Sequence, residues 1–197
     1  MRAEYSGVPL RAIAQLAKSW NFSEASFGMA ALNSYYATPS VADEHGFALA
    51  DAPWPQIFDP FRNAVAGKKV AVIGHFPFAP KALNQAADFY MLERSLNEGD
   101  YPDSAAEYIL PECDYVFITG SAFVNKTAPR LLELSRESFN VVLGPSTPLA
   151  PVLVEDYGVS QVTGMVPTSP LAMFEGLSGT DAGTTMFDWG HRVELSA

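Results

Sequence analysis

The stretch Lys69-Val-Ala-Val-Ile-Gly74 decides the fold, because it is a continuous apolar run that ends in glycine. Such a run is typical of a strand that is buried on both faces of a parallel sheet. Four further runs predict strands, at Asp88–Glu93, Asp114–Thr119, Asn140–Gly144 and Gly158–Gly164. Because the strands alternate with helical segments over short loops, we predict a Rossmann-like α/β domain with a doubly wound, mainly parallel sheet.

The helical segments complete this organisation. Between and after the strands, helices are predicted at residues 79–87, 104–110, 127–137 and 148–156. Upstream, residues 8–20 have helical apolar spacing, and a second helix is predicted over 23–36 with Ser23 as its cap. Residues 37–67 contain four prolines and are typical of a connecting segment, with one short helix near Phe61. We therefore expect a mainly helical N-terminal part with a linker over 1–66 and the Rossmann-like domain over 67–197.

Composition limits the classes of function. Hydrophobic residues make up 48% of the 197 residues, which is enough to bury a core. The net charge of −10 provides no basic surface for a phosphate backbone, so we expect no nucleic-acid partner. No apolar stretch has the length of a membrane span and no signal-peptide pattern is seen, so we expect a cytoplasmic protein without a membrane partner.

Four loops at the predicted strand ends are candidates for a ligand site, because open parallel sheets bind ligands beyond the carboxyl ends of their strands. The first loop begins at Gly74-His75 but lacks the later glycines of the dinucleotide fingerprint. A simple turn at Gly74 explains it equally well. Glu93 ends the second strand, where Rossmann folds bind ribose hydroxyls, although a surface ion pair with Arg94 is the alternative.

The other loops carry acids, hydroxyls and a lysine. Residues 97–103 contain Asp100, which could bind a cation or a polar ligand or belong to a solvated turn, and Asp103, a natural helix cap. In residues 119–127, Lys126 lies before a helix, an arrangement that suits an anionic group. The alternative is that Asn125 or Thr127 merely caps this helix. Residues 144–148 offer two hydroxyls that could equally be capping groups.

Metal ligands and nucleophiles have little support from spacing. His45, His75 and His191 lie in separate segments, and no Gly-x-Ser-x-Gly motif occurs. Cys113 is the only cysteine, so no intrachain disulfide or cysteine metal cage can form. Cys113 lies at the start of a strand, whereas catalytic residues of parallel sheets lie at the carboxyl ends of the strands.

Five blocks carry a resemblance to a known family: residues 28–36, 67–77, 99–103, 119–127 and 144–148. With these blocks in this order the chain resembles the putative heavy-metal chelation domain family. The resemblance implies a Rossmann-like domain that follows an enolase-N-terminal-like domain, with a cleft between them to which Asn33 contributes. It also implies metal chelation, or chemistry on a pterin-, flavin- or siderophore-like molecule. The strands that open the family's N-terminal domain are missing before the helical part here. We therefore expect a shortened member. Its apolar helix face would need a partner chain, as in a homo-oligomer, or a changed packing, or tolerance of low stability.

The leading hypothesis is a protein that binds or processes a polar, metal-chelating metabolite at the strand ends. His75 is the candidate general acid or base, and Lys126 is the candidate for an anionic group. A metal ion or metal chelate is the implied cofactor, without assigned metal ligands. A non-catalytic carrier of a metal complex and an inactive shortened member are the alternatives. The expected ligand-binding residues are Asn33, Gly74, Phe76, Pro77, Glu93, Gly99, Asp100, Thr119, Gly120, Ser121, Asn125, Thr127, Gly144, Ser146 and Thr147.

Overall fold

An eight-stranded sheet forms the centre of the protein, in the spatial order β1-β8-β7-β6-β5-β2-β3-β4. The structure is a computed structural model that describes residues 5–51, 53–54, 56–178 and 186–197. The strands are β1 (Ala48–Leu49), β2 (Lys69–Ile73), β3 (Asp88–Glu93), β4 (Tyr101–Pro102), β5 (Tyr115–Thr119), β6 (Phe139–Leu143), β7 (Gln161–Pro167) and β8 (Gly190–Ser196).

The winding of the sheet reverses between β2 and β5. From β2 the chain adds β3 and β4 on one side, and from β5 it adds β6 and β7 on the other, all in parallel. Strand β8 then pairs antiparallel with β7, and β1 pairs antiparallel with β8. The prediction of a doubly wound, mainly parallel sheet is therefore confirmed. The reversal leaves a crevice at the carboxyl ends of β2 and β5.

The helices are mostly short. They are α1 (Leu10–Ala14), α2 (Phe22–Tyr36), α3 (Pro39–Glu44), α4 (Ala79–Ala82), α5 (Ala106–Ile109), α6 (Ala128–Leu134), α7 (Val152–Glu155) and α8 (Pro170–Ser178). Turns of 3-10 helix extend several of them, including Gln15–Lys18 after α1 and Asp103–Ala105 before α5.

Side chains on the two faces of the sheet form two separate cores. In β2, Ala71 and Ile73 pack towards α5 and α6, whereas Val70 and Val72 pack against the segment that contains Phe58. This alternation follows from the two-residue repeat of a strand. Each fully buried Val, Leu, Ile or Phe contributes roughly 1.5–3 kcal/mol to folding. The sheet is therefore buried on both faces, as the apolar run of β2 predicts.

Several element predictions were wrong in detail. The helix α2 begins at Phe22, and its cap is Asn21, whose side chain accepts from the Ser23 and Glu24 amides, so Ser23 is not the cap. The helix predicted over 79–87 is a single turn, Ala79–Ala82. Residues 83–87 already lead into β3, and the Ala87 amide donates to the Lys68 carbonyl at 2.9 Å. The last helix before β7 is likewise only Val152–Glu155.

Elements at the β1–β8 end of the sheet had no prediction. The linker contributes β1, and the C-terminal segment contributes α8 and the seven-residue strand β8. Phe58 and Phe61, also from the linker, join the core beside β2 and β5. The domain boundary between residues 66 and 67 stays a prediction.

Candidate functional site

A cavity of about 410 Å³ lies at the carboxyl ends of β2, β3 and β5, beside the reversal of winding. Its volume is in the range of small-molecule sites, and its position is the one at which open α/β sheets bind ligands. It lies on the face of the sheet that α5 and α6 cover, where these helices leave the strand ends open.

The cavity combines an apolar floor with a polar rim. The apolar part is formed by strand ends and by the facing helices, namely Ile73, Leu92, Ala106, Ala122, Leu131 and Leu134. The polar part contains three acids, three bases and several hydroxyl or amide side chains, namely Glu93, Arg94, Asp103, Ser104, Glu107, Thr119, Ser121, Asn125, Lys126, Thr127 and Arg130. This mixture suits an organic molecule with both a flat apolar part and polar groups.

Glu93 is held in one orientation at the end of β3. Its Oε2 accepts from the His75 amide at 2.9 Å, and its Oε1 accepts from the Arg94 amide at 2.7 Å and the Ser95 amide at 3.4 Å. The carboxylate thereby connects the loops after β2 and β3. Because a carboxylate has about four acceptor positions, oxygen lone pairs remain for a ligand in the cavity. Glu93 as a site for hydroxyls stays a prediction.

Lys126 has an unusual backbone and a long-range contact. It has a φ of 68°, the left-handed region that costs a non-glycine residue roughly 1–2 kcal/mol. Its Nζ donates to the carbonyl of Ala17 in the 3-10 turn after α1. This turn packs so closely on α2 that a Cβ on Gly28 would lie 1.9 Å from the Ala17 nitrogen. The lysine therefore attaches the N-terminal helices to the cavity wall.

Two ion pairs lie at the rim. Arg130 binds Glu107 through two bonds, Nε to Oε1 at 2.9 Å and Nη2 to Oε2 at 2.5 Å. Arg94 approaches Asp103 at 3.5 Å and lies over the Phe22 ring at 5.9 Å from the centroid. Asp103 therefore pairs with an arginine and caps no helix, since no side-chain cap is seen at this turn.

The loop after β5 is ordered by its own polar side chains. The Thr119 hydroxyl accepts from the Ser121 amide at 3.4 Å and lies 3.1 Å from the Ser121 hydroxyl. Asn125 Oδ1 accepts from the Thr127 amide at 3.1 Å and the Thr127 hydroxyl at 2.6 Å. Asn125 thus fixes the turn that leads into α6, and all four residues line the cavity.

His75 and Asp100 form a pair beside the cavity, outside its lining. His75 Nδ1 lies 3.0 Å from Asp100 Oδ2, and the aspartate side chain is fully buried while the histidine remains 32% exposed. Burial would raise the pKa of Asp100, but hydrogen bonds from Asn97 and from His75 outweigh it, so the pKa lies below its ordinary value of 3.8. The loop after β3 therefore presents a charged carboxylate to the imidazole.

Asn33 reaches the loop after β6 at the junction of α2 with the sheet. Its Nδ2 donates to the carbonyl of Ser146 at 2.8 Å. Asn33 Oδ1 and Thr147 Oγ1 are both buried without a hydrogen-bond partner in the described part of the chain. Gly120 packs on the same loop, because a Cβ there would lie 2.5 Å from the Thr147 nitrogen. These residues form a second polar group outside the cavity lining.

The remaining predicted residues have backbone or packing roles. Phe76 stacks edge-on against Phe58 at 5.5 Å, and Gly144 has a φ of 122°. Gly99, with a φ of 89°, allows the turn before Asp100. Gly74 lines the cavity, while Phe76, Pro77, Gly99 and Gly144 do not.

Cavity residues that sequence reasoning missed are the ones on α5, α6 and the loop after β3. Arg94, Ser104, Glu107 and Arg130 line it. The sequence pattern could have indicated Glu107 and Arg130, because each lies one helical turn from an apolar residue that packs on the sheet. Their pairing, however, depends on how α5 and α6 lie side by side, which spacing alone does not provide.

A protein-borne metal site does not fit the described residues. Among residues 5–51, 53–54, 56–178 and 186–197, no group of three or more His, Cys, Asp or Glu side chains converges. Burial raises the pKa of the Cys113 thiol to about 11, so it is protonated at neutral pH and is no thiolate ligand. Within the described ranges, the side chains do not supply three converging donors of the kind that structural and catalytic transition-metal sites use.

Comparison with known proteins assigns the family. Residues 56–193, more than half of the chain, match the family model described as "Putative heavy-metal chelation". The chain belongs to this family. Residues 2–36 match a second model with the same description, so the heavy-metal chelation description extends to the segment that contains Asn33.

Two solved structures resemble the chain closely. One is a protein of unknown function from the DUF364 family of Desulfitobacterium hafniense, 45% identical, with a TM-score of 0.86 over 97% of this chain and 75% of that one. The other, a DUF364 protein of unknown function from Pyrococcus horikoshii, is 23% identical with a TM-score of 0.77 over 95% of this chain and 75% of that one, and it shows the fold alone.

A curated relative aligns with a smaller part of this chain. An uncharacterised protein of Methanocaldococcus jannaschii is 29% identical over 101 residues, which are 48% of this chain and 39% of that protein. The chain thus aligns with well under half of that relative's length. None of the helices in the part of the chain that the structure describes has the length and apolar character needed to cross a bilayer.

Proposed function

We propose that this member of the heavy-metal chelation family binds a polar, metal-chelating organic molecule in the cavity at the strand ends. The cavity of about 410 Å³ beside the reversal of winding is the observation that carries the proposal. Its apolar floor suits a planar or aliphatic body, and its hydroxyls, amides and charges suit the polar groups of a pterin-, flavin- or siderophore-like ligand.

The metal belongs to the ligand in this proposal. Because the described side chains do not converge into a donor set of three, a chelated metal is cargo that enters with its organic ligand. Lys126 supports an anionic ligand, since it lines the cavity and its ammonium group, which has three N–H donors, donates to the carbonyl oxygen of Ala17.

The His75–Asp100 pair supports a catalytic version of the proposal. A buried carboxylate that accepts from Nδ1 leaves Nε2 as the proton acceptor, which is the arrangement of a general base. The non-catalytic carrier is the second candidate, and it is favoured by the absence of the imidazole from the cavity lining. His75→Ala separates the two: loss of turnover with retained ligand binding supports an enzyme, and full activity in this variant contradicts a catalytic His75.

The test of binding itself is native mass spectrometry of protein purified without added metal, with elemental analysis of the same sample. We expect one organic molecule for each chain, and we expect metal in a stoichiometric amount only when that molecule is present. Metal that remains bound after the organic ligand has been removed would contradict the assignment of the donors to the ligand. A protein that retains no ligand and binds none of the three ligand classes on titration would contradict the proposal.

A further inference from the structure

We infer that the cavity recognises a nucleoside, with the ribose diol on Glu93 and the base against the apolar floor. This inference rests on the proposed function, because it uses the same cavity, and it narrows the organic part of the proposed metal-chelating ligand to a planar heterocycle joined to a ribose. The observation behind it is the juxtaposition of a fixed carboxylate, a planar guanidinium and an apolar slot in one cavity.

The carboxylate has the properties that a vicinal diol requires. Three backbone amides, of His75, Arg94 and Ser95, hold Glu93 in place. Glu93 lines the cavity and its carboxylate keeps lone pairs that these amides do not use, and the two hydroxyls of a ribose are a pair of donors for them. An acid at the end of the second strand of this winding is the general position for ribose recognition in doubly wound folds.

The surroundings of Glu93 suit a flat base. Leu92 and Ile73, at the ends of β3 and β2, are apolar lining residues of the same cavity, and Leu131 of α6 lines it as well. Arg94 follows Glu93 directly, and its planar guanidinium already lies over one aromatic ring, that of Phe22 at 5.9 Å. Guanidinium groups stack on the faces of aromatic rings, so Arg94 can do the same with a base.

The rim supplies acceptors for amino groups on that base. Asp103 and Glu107 line the cavity as carboxylates, each about half exposed and paired with an arginine. An exocyclic amino group is a donor that can share these oxygens. Amino-substituted bases are therefore expected to bind more tightly than those with a carbonyl in the same place.

A diphosphate is not part of the expected ligand. The loop after β2 continues as His75-Phe76-Pro77, and the following helix α4 has only four residues. Backbone amides from a glycine-rich loop and a long helix are what binds pyrophosphate in dinucleotide sites. The cavity therefore selects a nucleoside over a dinucleotide.

The test is calorimetric titration of the full chain with adenosine, 2′-deoxyadenosine, NAD, riboflavin, a free pterin and a ferric hydroxamate. We expect adenosine to bind and 2′-deoxyadenosine, which lacks the diol, to bind about tenfold or more weakly, the usual effect of losing a hydrogen bond to a charged group. NAD is expected to bind no more tightly than adenosine.

Glu93→Gln provides the matched variant. We expect it to weaken adenosine binding about tenfold or more and to weaken 2′-deoxyadenosine, which keeps only the 3′-hydroxyl, by a smaller factor, so that the effects of the variant and of the missing hydroxyl are not additive. A merely structural role for Glu93 would weaken both ligands equally. Should the variant fail to fold, the comparison of adenosine with 2′-deoxyadenosine on the native protein still decides.

The outcomes separate this inference from the proposed function. Binding of riboflavin, the pterin or the hydroxamate without binding of adenosine would overturn the nucleoside and leave the proposed function standing. Equal binding of adenosine and 2′-deoxyadenosine would overturn the role of Glu93 and with it the inference. Binding of none of the six would overturn both.

Discussion

Replacing Gly28 by alanine tests how the N-terminal helices are joined to the cavity. In an open helix position the change would stabilise the protein by about 0.8–1.0 kcal/mol, because alanine has the higher helix propensity. Here the added Cβ would lie 1.9 Å from the Ala17 nitrogen, 2.5 Å from the Leu16 carbonyl carbon and 2.6 Å from the Ala17 Cα. All three atoms belong to the backbone, so no side chain can rotate away.

The size of the effect follows from two opposing terms. Overpacking costs roughly 1–3 kcal/mol, and contacts this short with backbone belong at the upper end. After subtraction of the propensity gain of about 1 kcal/mol, Gly28→Ala is expected to lower the free energy of unfolding by about 2 kcal/mol. For a chain of this size that corresponds to a fall in Tm of roughly 4–8 °C.

The assay is urea unfolding followed by circular dichroism, with Ala30→Gly as the matched control. Ala30 is exposed in the same helix, so its replacement should cost only about 1 kcal/mol of propensity. Because the Ala17 carbonyl accepts from Lys126, Gly28→Ala should also weaken ligand binding, and Ala30→Gly should not. A Gly28→Ala protein more stable than the native protein would refute the close packing of the two helices.

Three further predictions concern separate features. Gly120→Ala should destabilise the protein and weaken ligand binding, since the added Cβ would lie 2.5 Å from the Thr147 nitrogen. At Gly158, which has a φ of 65°, an added Cβ would meet no atom within 4 Å, so Gly158→Ala should lower the free energy of unfolding in urea by only about 1 kcal/mol. The pKa of Asp100 is lowered from 3.8 in the folded protein, so its contribution to stability should be complete above pH 3.8 and be lost as the pH falls through the lowered value. Asp100→Asn should therefore flatten the acidic part of a plot of Tm against pH. An unchanged plot would contradict this. Cys113, with a pKa of about 11, should react with a thiol reagent at neutral pH only after unfolding, and rapid reaction of the native protein would contradict its burial.

The centre of the fold could be predicted because one physical signal dominates it. The run Lys69–Gly74 is apolar at every interior position, which is typical of a strand buried on both faces, and the later apolar runs repeat this pattern. The position of the ligand crevice then follows from topology. Gly74, Glu93, Thr119, Ser121 and Lys126 could therefore be placed at the cavity from sequence.

The parts that could not be predicted depend on packing between distant segments. The strand β8 lies between β1 and β7, is only partly buried and has no apolar run, and its place is set by seven residue pairs with β7. Asp103 has the sequence pattern of a cap, but the nearby Arg94 provides a charged partner at 3.5 Å. Arg130 and Glu107 meet only because α5 and α6 lie side by side.

The measurement that tests the central claim most directly is the ligand stoichiometry, by native mass spectrometry, of an Ala106→Phe variant beside the native protein. Ala106 is buried at the cavity wall, so a phenyl ring there is expected to occupy space in the cavity, and Ala30→Phe on the exposed face of α2 is the control. The cavity account predicts one organic ligand for each chain of the native and Ala30→Phe proteins and none for Ala106→Phe. A folded Ala106→Phe protein that retains the ligand of the native protein would contradict it, because the binding site would then lie elsewhere.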